Sequence, residues 1–224
     1  MHSRQLTNRH FDFHSPIGRL IIWLAMSIAC LLVLLSPKPQ QVLLSLLGVA
    51  SLLLWGCYLA KKSKVSFTLT ATHLQQHLYH GGWVLKWSNI SKIGLCTYNN
   101  DGWHQPLPWV GIKIKHYPPY LESICPRIIT DVLLNQRVIL YLGAKQCGKE
   151  KVFEDYVLDG EAYRSPAREY TGLQAMLANR MKHQRQFHDY DIFIAVADLD
   201  RTGEDFVGLA RRYLAAAETE PDHH

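Results

Sequence analysis

Apolar residues are concentrated in two uninterrupted runs, residues 20–35 (LIIWLAMSIACLLVLL) and 42–60 (VLLSLLGVASLLLWGCYLA), neither of which contains a charge. As helices they extend roughly 24 and 28 Å, close to the ~30 Å hydrocarbon core of a bilayer. Ile17 and Gly18 lengthen the first by a turn when Arg19 snorkels toward the headgroups. The break SPKPQQ at 36–41 holds two prolines, which stop one helix and force a turn. The pattern therefore predicts a two-helix hairpin over 17–60. Ala25 and Ala29 on one helix, and Ser45, Gly48 and Ser51 on the other, offer close approach. Trp23, Trp55 and Tyr58 lie toward the outer ends, where amphipathic rings prefer the interface. Two other readings use the same letters. A cleaved signal peptide needs a small-x-small site, which does not follow the first run. A pair of buried soluble helices seldom stays uncharged for so long.

After Lys64 the period changes to two. Val65, Phe67 and Leu69 alternate with Ser66, Thr68 and Thr70, predicting a half-buried strand. Further strands are expected at 74–79, 83–87, 88–98 and 110–115. His80-Gly81-Gly82 forms one turn and Asn99-Asn100-Asp101-Gly102 another. Pro118-Pro119 ends the meander. Pro126 opens a helix whose apolar face is Ile128, Ile129, Val132 and Leu133. Residues 138–142 fit either a helix end or a sixth strand, and 144–168 are polar and broken. A helix is expected over 171–186 with core positions Leu173, Met176, Leu177 and Met181. A strand follows at 191–197. A last helix spans 202–217, with Thr202 and Asp205 as a capping box and Phe206, Leu209, Tyr213 and Leu214 inward. The sum is an α+β chain. It divides into a polar tail (1–16), a transmembrane hairpin (17–60), an antiparallel β-meander domain (61–143) and a C-terminal α/β region (144–224).

Charge sets the orientation. The net +5 is uneven: residues 1–60 carry four basic side chains and one acidic. Arg4, Arg9 and Arg19 precede the first run, Lys61, Lys62 and Lys64 follow the second, and only Lys38 lies between. The positive-inside rule then puts both termini in the cytoplasm of a multi-pass inner-membrane protein. Arg19, Lys61, Lys62 and Lys64 are the expected membrane-surface residues. Lys86, Lys92, Lys113 and Lys115 extend that surface toward anionic lipid in a second reading. The pattern suits a lipid bilayer as partner and not a nucleic-acid groove. Five cysteines without C-x-x-C spacing suggest neither a zinc site nor a disulfide framework.

Candidate chemistry is thin. Residues 143–149 (GAKQCGK) match G-x-x-x-x-G-K, but Glu150 stands where Ser or Thr would hold Mg²⁺, and fewer than 85 residues remain for a parallel sheet. Asp198 mimics the acid of a Walker-B strand. Residues 198–203 (DLDRTG) resemble the start of a calcium loop, but Leu209 occupies the position of the bidentate Glu. His73 and His77 lie four apart without a nameable third ligand. Trp83, Trp87, Trp103 and Trp109 suit core packing better than a binding platform. The expectation is no cofactor, no metal and no catalytic residue.

The stretch KVSFTLTATHLQQHLYHGGWVLKWSNISKIGL, following a two-span hairpin, resembles bacterial membrane proteins with a PH-like domain, including their W-x-x-I approach to a strand (Trp87 to Ile90). WVGIKIK, PRIITDVLLNQR, AMLANRM and DLDRTGEDFV resemble an uncharacterised proteobacterial inner-membrane family, a domain of unknown function. The resemblance covers most of the chain and implies a binding or scaffold module with a protein or lipid partner, not an enzyme. A membrane-tethered nucleotide-binding enzyme using 143–150 is the alternative, and an anionic-lipid head-group sensor is a third reading.

Overall fold

The alternation after Lys64 builds two antiparallel sheets. Strands β1 (Arg4–Thr7), β2 (Ser66–Leu69), β3 (His73–Leu78) and β4 (Gly81–Lys86) form the first, in that order. Strands β5 (Ile90–Asn100), β6 (Trp103–Ile114) and β9 (Ile192–Ala195) form the second. β7 (Tyr163–Arg164) and β8 (Glu169–Tyr170) make a small hairpin. The helices are α1 (Pro16–Leu35), α2 (Pro39–Lys62), α3 (Pro118–Ser123), α4 (Pro126–Asn135), α5 (Arg137–Gln146), α6 (Phe153–Leu158), α7 (Gly172–His188) and α8 (Gly203–Thr219). The computed structural model describes residues 3–8, 16–35, 38–62, 64–100 and 103–219. The architecture is α+β, and the chain separates into two compact units, residues 9–64 and the remainder.

The helical unit consists of α1 and α2. Among the described residues, one helix, Pro39–Lys62, is long and apolar enough to cross a membrane, and none of its span is buried. On α2 the half-buried positions include Val42, Ser45 and Val49, while Gly48 and Ser51 are exposed. Of the small residues expected to allow close approach, Gly48 and Ser51 therefore do not face a neighbour, whereas Ala25, Ala29 and Ser45 are half-buried. The Ser27, Ser45 and Ser51 hydroxyls each donate to a carbonyl of their own helix at 2.8–2.9 Å. Ser36 and Pro37 of the expected turn lie outside the described residues.

In the larger unit, residues 4–7 are not a tail. β1 pairs antiparallel with β2, Leu6 opposite Phe67, and both side chains enter the core. The alternation at 66–86 puts Phe67, Leu69, Leu74, Trp83 and Leu85 on the buried face. Trp87 to Asn89 turn the chain as a short 3-10 helix, with Trp87 buried and its indole N–H donating to Thr70 O at 2.9 Å. β6 starts earlier than the sequence suggests and contains Pro106 and Pro108. Those prolines are tolerated because β9 pairs only with Trp109 to Ile112, leaving the first half of β6 as an edge. Asn99 and Asn100 continue β5; Asp101 and Gly102 lie outside the described residues.

Between β6 and β9 the chain inserts α3–α7 and the β7–β8 hairpin. The ambiguous 138–142 run is helical, within α5. α8 then closes the core across both sheets. Phe206 meets Phe67 edge-on at 5.7 Å, Tyr213 stacks on Trp87 at 5.8 Å, and Arg211 Nε donates to Ile93 O at 2.9 Å. Thr202 caps α8 as expected: its hydroxyl accepts from Asp205 N at 3.2 Å and donates to the Asp205 carboxylate at 2.8 Å. One hydrophobic cluster runs from Leu6 through β2–β6 to α4, α7, β9 and α8. The expected boundary at 143 therefore does not hold, because β9 and α8 complete the sheets and core begun by the meander.

Candidate binding cleft

The polar centre of the larger unit is Asp191, the residue just before β9. Its carboxylate is fully buried and accepts from Ile114 N at 2.8 Å, from the Tyr117 hydroxyl at 2.8 Å and from Arg185 Nε at 2.7 Å, with a further contact from Arg185 Nη2. Arg185 Nη2 also donates to Ile114 O at 2.6 Å. One carboxylate thus ties the end of β6, the start of α3, the last turn of α7 and the start of β9. Burial, followed by the Asp191 charge, pushes the Tyr117 phenol far up, so it stays a donor.

Above this clasp opens a cleft of about 820 Å³ lined by residues 115–119, the tip of the β7–β8 hairpin, and Lys182, Arg185 and Gln186 of α7. Lys182 Nζ lies 4.7 Å from the centre of the Tyr163 ring, and the Arg185 guanidinium 5.0 Å from that of Tyr117. The two rings are 5.9 Å apart. Lys115, His116 and Lys182 are exposed.

α7 carries more buried polarity than its apolar letters imply. Leu173 is 41 % exposed and Met176 half-buried, whereas Asn179, Arg180 and Gln184 are buried. Arg180 donates to Leu133 O near the end of α4 (3.4 Å) and to Val157 O near the end of α6 (3.1 Å), the negative ends of two helix dipoles. Burial, with Arg137 nearby, lowers its pKa to about 10. Asp189 follows α7 in the left-handed region (φ 62°). It bridges Lys92 (3.0 Å) and Lys113, which are cross-strand partners in β5 and β6. These bonds hold the Asp189 carboxyl below its usual range, Lys113 contributing most.

The motif residues have other employment. Gly143 sits inside α5, where a Cβ would come within 2.6 Å of Phe187 Cβ and His188 Nε2, so its missing side chain serves helix packing. The 143–150 stretch thus lacks the strand–loop–helix geometry of a P-loop. Leu209 faces the core of α8. His73 contacts the Thr70 and Thr72 hydroxyls at 3.0 and 2.9 Å, and His77 that of Thr68 at 3.1 Å. Trp83 and Trp87 are core residues, and Trp109 packs on the Cys96, Ile139, Tyr190 and Phe193 cluster. Of the expected surface residues, Arg19 is exposed on α1, Lys61 and Lys62 end α2, and Lys64 is exposed beyond it. They are not brought into the cleft. The cleft was not legible in the sequence, because its walls come from three distant segments; a run such as KHYPP was the only local hint.

Fold and site define an α+β protein of two antiparallel sheets closed by a terminal helix, with a helical insert that carries an aromatic and cationic cleft. The chain belongs to the family described as "Protein of unknown function (DUF2982)", whose model matches residues 67–216, more than half of the chain. No curated protein and no solved structure matches it.

Proposed function

We propose that the protein is a membrane-anchored, non-enzymatic binding or scaffold module. In this reading α1 and α2 cross a bacterial inner membrane as a hairpin, and the larger unit is a PH-like domain in the cytoplasm that engages a protein partner. The observation that carries it is the pairing of β1 with β2. β1 precedes α1 and β2 follows α2, so the chain leaves and re-enters one sheet. A chain that does so crosses a bilayer an even number of times. α2 has the length and hydropathy of a span; in this reading parity asks for a second crossing, and α1, whose 20 residues extend about 30 Å, is long enough to supply it.

Exposure supports the same reading. Leu44, Leu52 and Leu54 of α2 are 71–74 % exposed and Trp23 of α1 67 %. Each large apolar side chain left in water forgoes about 1.5–3 kcal/mol, which lipid supplies. Removal of the first run as a signal peptide would also strip β1, with Leu6, from the sheet. The division into four and three antiparallel strands, closed by α8, supports a PH-like fold interrupted by the insert at 115–191.

Reporter fusions test the topology. A reporter after His224 is expected to score inside and one inserted after Lys38 outside, with the protein retained in the carbonate-washed membrane pellet. Release by carbonate, or both reporters on one side, overturns the reading.

A further inference from the structure

We propose that the cleft between residues 115–119, the β7–β8 hairpin and α7 binds a phosphate-bearing ligand. The charged residues lining it are all cationic: Lys115, Lys182 and Arg185, with His116 beside them and no Asp or Glu on its walls. Lys115 and Lys182 form no ion pair among the described residues. Lys182 is held over the Tyr163 ring instead, which leaves its ammonium donors available.

Arg185 supplies a pre-set donor. Its Nε and Nη2 are committed to Asp191 and Ile114 O, which fix the plane of the guanidinium. Its Nη1 has no acceptor among the described residues. The clasping carboxylate is fully buried and saturated by its own donors, so it orients Arg185 without presenting a negative surface to the cleft. The Ser165 hydroxyl and the Gln186 amide add neutral donors to the lining. Such a donor-rich, carboxylate-free wall matches a group that only accepts and carries up to two charges. A phosphate ester offers three acceptor oxygens where a carboxylate offers two.

The tyrosine faces are already covered by Lys182 and Arg185. Recognition therefore falls on the charged group and not on stacking of a planar base. The volume is that of ordinary small-ligand sites, about 300–1,000 Å³. Exposed Pro119, Pro166, Ala167 and Gln186 leave one side open, so the remainder of a larger molecule projects outward. A soluble phosphate ester and a phospholipid head group share this chemistry. The inference does not rest on the hairpin crossing a membrane.

The test is calorimetric titration of the full-length chain in uncharged detergent micelles. One arm uses glycerol 3-phosphate, the other dihexanoyl-phosphatidylglycerol below its micelle concentration, and glycerol is the neutral control. Saturable binding in the first arm identifies a soluble ester and in the second a lipid head group; either supports the site. Lys115→Glu with Lys182→Glu is expected to weaken binding at least tenfold, and Lys151→Glu, exposed and outside the cleft, to leave it unchanged. Thermal melts establish that each variant is folded. Binding of neither probe by the folded wild type, or equal binding by the cleft variant, overturns the proposal.

Discussion

Gly143 and its neighbour His188 show how residues that suggest chemistry are absorbed by packing. α5 approaches α7 closely only because position 143 has no Cβ. His188 fills the gap and donates from Nε2 to Ile139 O at 2.9 Å. Gly143→Ala is accordingly expected to destabilise the protein by about 1–3 kcal/mol, the usual range for overpacking. Lys149→Ala, whose exposed ammonium lies 5.9 Å from the Phe187 ring centre, is expected to change stability by less than about 0.5 kcal/mol. Urea unfolding of the two variants checks the pair; a nucleotide loop would reverse the functional ranking, with Lys149 the sensitive position. His188 also makes a pH prediction. Its Nδ1 is buried without a hydrogen-bond partner among the described residues, and burial holds its pKa below the ordinary value. The folded state therefore favours the neutral ring more than the unfolded chain does. Its contribution is complete above about pH 6.5, the unfolded value, and is lost as pH falls below it. Unfolding free energies of wild type and His188→Gln, compared between pH 8 and pH 5, isolate this slope: the wild type should lose more stability than the variant on acidification.

The long β5–β6 ribbon depends on a cross-strand glycine pair. Gly94 and Gly111 are directly opposite, and the Tyr190 ring lies across both, so a Cβ at either position would overlap it. Lys92 Nζ covers the ring at 4.9 Å. Gly111→Ala should cost about 1–3 kcal/mol in the wild type, and much less in a Tyr190→Ala background. A double-mutant cycle by thermal unfolding reads the difference; equal costs in both backgrounds would refute the packing account. The same ribbon shows what sequence carries and what it does not. Regular alternation at 66–86, the apolar face of α4 and the Thr202 cap of α8 are local signals, and each is found in the structure. β1 has only four residues, and its partner lies beyond the whole of α1 and α2, so no local pattern marks it. The first half of β6 is hidden by Pro106 and Pro108, which are permitted only because β9 is short. On α7 the apolar pattern places Leu177 and Met181 in the core, but Leu173 is exposed and Asn179, Arg180 and Gln184 are buried as well. Their partners are the Asp159 carboxylate and Glu161 carbonyl, the carbonyls of Leu133 and Val157, and the Gln136 side chain, all remote in sequence. The cleft shares that cause: a site assembled from residues near 116, 165 and 185 has no spacing to detect.

At the scale of the molecule, the insertion of α1–α2 between two neighbouring strands makes the larger unit separable in a particular way. Asn8 N donates to Val65 O at 2.9 Å, so the chain ends that flank the helices are already as close as the two sides of a tight turn. Replacing residues 9–64 with a short Gly/Ser loop should therefore close β1 onto β2 with little distortion, since a loop of a few residues carries a small closure cost. The expected product is a water-soluble protein with the wild-type sheet content by circular dichroism and, under the cleft proposal, unchanged affinity for the same phosphate probe. A simple truncation that starts at residue 65 removes β1 as well. It exposes the edge of β2 and forfeits Leu6, a buried side chain whose burial contributes about 1.5–3 kcal/mol. That version should unfold at lower urea and tend to associate through its open edge. The comparison separates two roles for the N-terminal segment. If loop-closed and truncated forms are equally stable and equally monomeric, β1 is a passive leader to the first helix. If only the loop-closed form is stable, the strand is part of the domain, and the even-crossing argument for the hairpin retains its foundation.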